Sequence, residues 1–130
     1  MIKPRVNIKY PWHLSIGDYS WIGEGAWIDN LVAVEIGSNV CLSQGAYLMT
    51  GNHNYRSVTF DLVTGRVRIG DGAWIGAQAI VCPGVSIAAG SVLSVGSIAR
   101  SDTEAGWVYD GSPAVKLRPR DRPPVTSSVQ

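Results

Sequence analysis

Ile16-Gly17-Asp18-Tyr19-Ser20-Trp21 is followed directly by Ile22-Gly23-Glu24-Gly25-Ala26-Trp27, and Ile28 opens a third unit of the same design. Outward from this stretch the pattern resumes at Ile36, Leu42 and Leu48, breaks, and returns at Ile69, Ile75, Val81, Ile87, Leu93 and Ala99. Each unit of six opens on an aliphatic residue. The second place is usually small (Gly17, Gly23, Gly37, Ser43, Gly70, Gly76), and so is the fifth (Ser20, Ala26, Ala46, Ala73, Ala79, Ser91). A period of six is neither the helical 3.6 nor the strand alternation of two. It marks a β-solenoid, in which each unit is one short strand and a turn.

Three such units close a triangular coil, with the aliphatic residue pointing into a narrow prism. The fifth residue also points inward, near a corner, where only a small side chain fits. Gly and Asn at the turns supply backbone angles that other residues adopt at a cost. The units group into about four coils, starting at Ile16, Ile36, Ile69 and Ile87, with Tyr10-Pro11-Trp12 as a partial lead-in. The expected architecture is all-β, with strands of successive coils paired in parallel at about 4.8 Å.

At 130 residues and 45% hydrophobic content the chain supports a single core. Its net charge of +1 lacks the basic excess of a nucleic-acid binder. Trp21, Trp27 and Trp74 fall on outward places of the repeat, and exposed aromatics on a thin-cored scaffold predict a subunit interface and a ligand wall. Met1-Ile2-Lys3-Pro4-Arg5 has no apolar run behind it, and no segment has the length needed to cross a bilayer, so a cytoplasmic location without membrane insertion is expected. Cys41 and Cys82 lie in different coils without C-x-x-C spacing, as reduced structural thiols do.

Two breaks in the rhythm are the places to seek function, because a rigid scaffold is usually interrupted for a purpose. The shorter surrounds Asp29-Asn30-Leu31; the longer, 49–68, carries Gly51-Asn52-His53-Asn54-Tyr55 and has no repeat of its own. After the last coil come Gly111-Ser112-Pro113-Ala114 and a basic stretch with Lys116, Arg118, Arg120 and Arg122. The expected organisation is one domain over 1–118 and a loosely attached tail over 119–130.

The repeats, the loop His and the closing Gly-Ser-Pro-Ala resemble the hexapeptide-repeat, left-handed β-helix acyltransferases. Pro11-Trp12-His13-Leu14-Ser15-Ile16-Gly17 and Ser43-Gln44-Gly45-Ala46-Tyr47-Leu48 are most similar to the sugar O-acetyltransferase branch, including the enzymes of colanic-acid-type exopolysaccharide clusters. The left-handed winding is implied by this resemblance alone. So are a homotrimer, acetyl-CoA as co-substrate, a sugar or glycan-precursor acceptor and no metal.

Within the resemblance His53 is the general base: an alcohol is a poor nucleophile while it keeps its proton, and imidazole can take it. His13, the other of the two histidines, is expected to be structural or to line the acceptor. Trp74 would wall the acyl pocket, and Ala77, Gly96, Ser97 and Ala114 are small places matched to the pantetheine arm and the closing turn. Arg100 and Arg118 would meet the nucleotide phosphates. Arg100-Ser101 stands where relatives often have Thr-Lys, and Ala114-Val115-Lys116 replaces the more usual Ala-Lys-Val. Asp29 and Asn30 are the candidate acceptor ligands, able to hold sugar hydroxyls, although a role in the turn fits them nearly as well. Three alternatives remain open at this point: N-acetylation of an amino-sugar nucleotide, a non-catalytic scaffold, and a γ-carbonic-anhydrase-like protein. The last needs three His ligands for zinc, and the chain has two.

Overall fold

A computed structural model describes residues 1–121. A partial first coil carries β1 (Asn7–Ile8). The next coil holds β2 (Leu14–Ile16), β3 (Trp21–Ile22) and β4 (Trp27–Asp29), and the one after it β5 (Val34–Ile36), β6 (Cys41–Leu42) and β7 (Tyr47–Met49). A side hairpin follows, β8 (Gly51–His53) and β9 (Leu62–Thr64). The solenoid resumes with β10 (Val67–Ile69), β11 (Trp74–Ile75) and β12 (Ile80–Val81), then β13 (Ser86–Ile87), β14 (Val92–Leu93) and β15 (Ile98–Ala99). A second hairpin, β16 (Trp107–Gly111) and β17 (Ala114–Pro119), closes it.

These strands stack into the three walls of a prism of about five turns. The first wall is ordered β17-β16-β14-β11-β6-β3, the second β1-β4-β7-β12-β15 and the third β13-β10-β5-β2. Pairing within the solenoid is parallel, and Ile16, Ile36, Ile69 and Ile87 stand in one register column. That column is the set of coil starts expected from the repeat.

Each place in the unit has a physical reason. The opening aliphatics Ile22, Ile28, Leu42, Leu48, Ile75 and Leu93 are fully buried, each contributing about 1.5–3 kcal/mol of apolar transfer. The small fifth residues Ser20, Ala26, Ala46, Ala73, Ala79 and Ser91 are buried beside them. At the second place coils approach closely: a Cβ on Gly70 would lie 2.5 Å from the Ala89 nitrogen. The fourth place is left-handed, with Gly72, Gly90 and Gly96 at φ 71, 69 and 67, and with Tyr19, Asn39 and Gln78 forced to 59, 56 and 58.

The structure corrects the lead-in. Ile2 bridges Ile22, and Ile8 pairs with Ile28, so the first partial coil comes from a unit opening at Ile2 and not from Tyr10-Pro11-Trp12. Lys3 and Arg5 hide this unit in the sequence by taking the places usually held by small residues; Arg5 still adopts φ 60. Pro11–His13 form a one-turn 3-10 helix at the corner instead. The long excursion is also shorter and better organised than expected. β7 runs to Met49 and β10 starts at Val67, and between them β8 and β9 pair antiparallel, with His53 opposite Leu62.

The ordered fold passes the expected boundary at 118. β17 reaches Pro119, and the Arg120 N–H donates to the Gly106 carbonyl at 2.8 Å. Arg122 and the rest of the expected tail lie outside the described residues.

Outward side chains differ by wall. The first wall shows Trp21, Cys41 and Trp74, and the second Trp27, Tyr47, Ile80 and Ile98. The third shows Ser15, Glu35, Arg68 and Ser86. Two walls are aromatic and aliphatic; the third is polar.

Candidate active site

A groove of 720 Å³ runs along the first wall and the corner leading from it to the second. Ser43, Trp74, Ala77 and Val95 line it from the coils, Arg118 from the closing strand, and Arg120 from just beyond it. Small side chains at the corner leave backbone accessible, and the aromatic ring makes a flat wall. The Trp74 indole N–H donates to Ser43 Oγ at 2.8 Å, which fixes the ring orientation. The guanidinium of Arg120 donates from Nη1 to the turn carbonyls of Gly72, at 2.8 Å, and Gly90, at 3.2 Å, tying the last strand to two coils. Arg118 is exposed on β17, opposite Val108.

The seven expected cofactor residues therefore divide. Trp74, Ala77 and Arg118 share the groove, and Gly96 adjoins it, its N–H donating to the Ala77 carbonyl at 2.9 Å. Ser97 does not face it. It is buried; its hydroxyl accepts from the Gly111 N–H at 3.0 Å, and its own N–H and C=O are engaged with Ser94 and Ile80. No polar group of Ser97 is left for a ligand, so the residue is structural. Ala114 packs against the core beside the turn formed by Gly111, Ser112 and the cis Pro113, outside the groove lining. Arg100 is exposed on another corner, where β15 ends, with its charge near Cys82. Burial pushes the Cys82 thiol up, against the pull of that guanidinium.

His53 stands on β8, in the hairpin that leaves the corner between the second and third walls. Its ring stacks on Phe60, with centroids 4.3 Å apart and planes at 12°. Its Nδ1 lies 3.0 Å from the Phe60 carbonyl. A carbonyl only accepts, so in the neutral ring Nδ1 carries the proton and Nε2 keeps its lone pair. Phe60 itself is held at φ 52, an uncommon conformation for a bulky side chain and one that costs about 1–3 kcal/mol. This residue was not legible as part of the site, because reading the loop as patternless hid the hairpin that brings position 60 back to 53.

Asn30 is corrected outright. It is fully buried, its Oδ1 accepts from the Tyr10 N–H at 2.8 Å, and its Nδ2 donates to the Tyr10 carbonyl at 2.7 Å. Its amide clamps a neighbouring corner and cannot hold a sugar. Asp29 differs. Its Oδ1 is buried without a hydrogen-bond partner, 3.6 Å from Lys9 Nζ. Its carbonyl accepts from Thr50 at the hairpin base. The Tyr47 phenol beside it is raised by burial and then by the Asp29 charge, with Lys9 opposing. Lys9 carried no sequence signal, and Tyr47 figured only within the quoted repeat; register alone brings both to Asp29. Among the described residues no three His, Cys, Asp or Glu side chains converge as a metal site would need.

Comparison with known proteins accords with this fold. Residues 66–98 match the model described as the hexapeptide repeat of succinyl-transferase. WcaF of Escherichia coli K12, assigned as a colanic acid biosynthesis acetyltransferase, is 37% identical over 120 residues, covering 92% of this chain and 66% of WcaF. The chain belongs to the hexapeptide-repeat acyltransferase family. Galactoside O-acetyltransferase of the same organism is 28% identical, over 90% of this chain and 59% of that protein. A galactoside acetyltransferase solved in complex with coenzyme A superposes with a TM-score of 0.87 at 25% identity, over 93% of this chain and 62% of that one. A hexapeptide-repeat acetyltransferase from Vibrio cholerae, at 23% identity and TM-score 0.87, shares the fold. The chain thus spans about three-fifths to two-thirds of the length of these curated relatives. No helix among the described residues is long and apolar enough to cross a membrane.

Proposed function

We propose that the chain transfers an acetyl group from acetyl-CoA to a hydroxyl of a sugar or glycan precursor, with His53 as general base. The observation that carries this reading is the His53–Phe60 pair. A ring held on both its face and its Nδ1 presents Nε2 as a fixed proton acceptor. In the step, Nε2 takes the hydroxyl proton as the oxygen attacks the thioester carbonyl. The C–S bond then breaks, and the proton passes to the departing CoA thiolate. Nothing is oxidised or reduced, and no covalent enzyme intermediate is required.

Acetyl-CoA fits the groove along the first wall, with the thioester near Trp74 and Ala77 and the phosphates toward Arg118. Asp29, ion-paired with Lys9 at 3.6 Å and with no hydrogen bond to its Oδ1, suits an acceptor hydroxyl. Support for coenzyme binding comes from the galactoside acetyltransferase solved with coenzyme A, and for a sugar acceptor from the relatives assigned to colanic acid and galactoside acetylation.

The working unit in this reading is a homotrimer. Groove and hairpin sit on different corners of one prism, and none of the hairpin's residues lines the groove. A second copy supplies the missing partner. The apolar first and second walls would meet in the assembly, together with Tyr55, Val58 and Phe60, all exposed on the hairpin loop.

The test is His53→Ala. Trimer, fold and the KM for acetyl-CoA should be retained, and kcat should fall by about 10²–10⁴. Turnover within twofold of the parent, on a proven acceptor, would remove His53 from the mechanism.

A further inference from the structure

We propose a second carbohydrate subsite at the corner built from Tyr10 to His13. It binds one pyranose unit of an oligosaccharide acceptor, away from the unit that is acetylated. The inference rests on the glycan reading above and extends it from a sugar to a chain of sugars.

A separate cleft of 210 Å³, room for about one hexose, is lined by Trp12, His13, Ser15 and Glu35 together with Leu14 and Val34. Trp12 is 74% exposed, although a lone indole on a surface is usually covered in part. It does not hang free. Its ring lies 5.4 Å from Tyr10 and 6.1 Å from His13, centroid to centroid. Beneath it, the buried Asn30 amide grips both backbone groups of Tyr10, and Pro11 opens the short helix. The corner is therefore preorganised to present an aromatic face.

Around that face stand polar groups with unused capacity. Among the described residues, no hydrogen bond engages the His13 ring or the Ser15 hydroxyl, and Glu35 meets only Arg68, at 3.4 Å through Oε2. A flat aromatic face ringed by free donors and acceptors is the chemistry that recognises a pyranose. The C–H face of the sugar packs on the π system, and its equatorial hydroxyls reach the rim. A purely apolar partner would leave these groups unsatisfied.

Position favours a longer acceptor. The cleft opens on the polar third wall, which the proposed trimer leaves in solvent. It also shares its corner with the hairpin: Asn30 belongs to the next coil, and the Val32 N–H reaches Thr50 Oγ1, at the hairpin base, at 3.4 Å. Two coil steps of about 4.8 Å separate Trp12 from that base, a span of order two or three sugar units.

The test uses the whole protein with maltotriose, cellotriose and β-1,4-galactotriose against the corresponding methyl monoglycosides. Binding is followed by calorimetry and by NMR of the tryptophan indoles, and transfer by release of free CoA. In Trp12→Ala, affinity for at least one trisaccharide should fall roughly tenfold to a hundredfold, with monoglycoside kinetics and the KM for acetyl-CoA unchanged. Trp12→Phe should retain most of the affinity, and Glu35→Gln should lose part of it. Equal losses for mono- and trisaccharide, no loss, or no trisaccharide binding by the parent would each overturn the subsite. Trisaccharide binding that depends on Trp12, with no transfer to any hydroxyl, would sink the acetyltransferase reading and leave the subsite standing.

Discussion

Tyr19 shows how strictly the repeat dictates single residues. It holds φ 59 at the fourth place of its unit, where Gly25, Gly45 and Gly72 adopt 71, 68 and 71. The residue is 89% exposed and so returns little packing for the strain. An L-residue in the left-handed region costs roughly 1 kcal/mol, offset in part by the greater unfolded freedom of glycine. Tyr19→Gly should therefore stabilise the protein by about 0.5 kcal/mol, seen as a higher denaturant midpoint at unchanged m-value. A lower midpoint would mean that the ring has a partner in the assembly. Phe60 is strained in the same way, at φ 52, but there the strain holds a ring and a carbonyl against His53. The same backbone angle is an architectural constant at one site and a positioning device at the other. Only the neighbours distinguish them.

At the scale of elements, the two hairpins do what the coils cannot. The coils make smooth walls; β8 and β9 carry His53 away from the prism, while β16 and β17 cover its end and bring Arg118 to the groove. β17 is anchored beyond its last residue by the Arg120 contacts to Gly72 and Gly90, so the placement of Arg118 does not depend on a loose tail. Arg118→Ala should raise the KM for acetyl-CoA about tenfold, with a smaller change in kcat, because a phosphate contact is made in ground and transition states alike. Dephospho-CoA thioesters should show a reduced penalty if the contact is to the 3′-phosphate. Unchanged acetyl-CoA kinetics would place the nucleotide elsewhere.

For the whole molecule, the decisive property is that hairpin and groove leave different corners of the prism. In the proposed trimer each site combines one copy's His53 with a neighbour's groove. His53→Ala and the groove-filling Ala77→Phe should each be inactive alone. Co-expressed in equal amounts, they should regain about a quarter of the parent activity, since random assembly joins an intact hairpin to an intact groove at one site in four. No recovery from mixed assemblies would return both parts to a single copy. The unequal walls fit the same arrangement. Trp21, Trp74, Trp27 and Tyr47 lie on two of them, and Ser15, Glu35 and Arg68 on the third.

What the sequence determined by itself was everything local and repeated. A unit of six imposes one aliphatic inward, one small residue at each corner and one left-handed turn, so the coil starts at Ile16, Ile36, Ile69 and Ile87 are written in the repeat itself. The unit at Ile2 escaped because Lys3 and Arg5 occupy its small places, and only pairing with Ile22 and Ile28 exposes it. His53 stood out as a polar residue in a break. Its partner Phe60, the burial of Ser97, the Asn30 grip on Tyr10 and the isolation of Arg100 from the groove were decided by the tertiary structure. The physical reason is the winding of the solenoid. Residues in contact across coils are about twenty apart in the chain, and more than thirty across the hairpin. The periodicity says which residues point inward or outward, while register and loop path choose their partners.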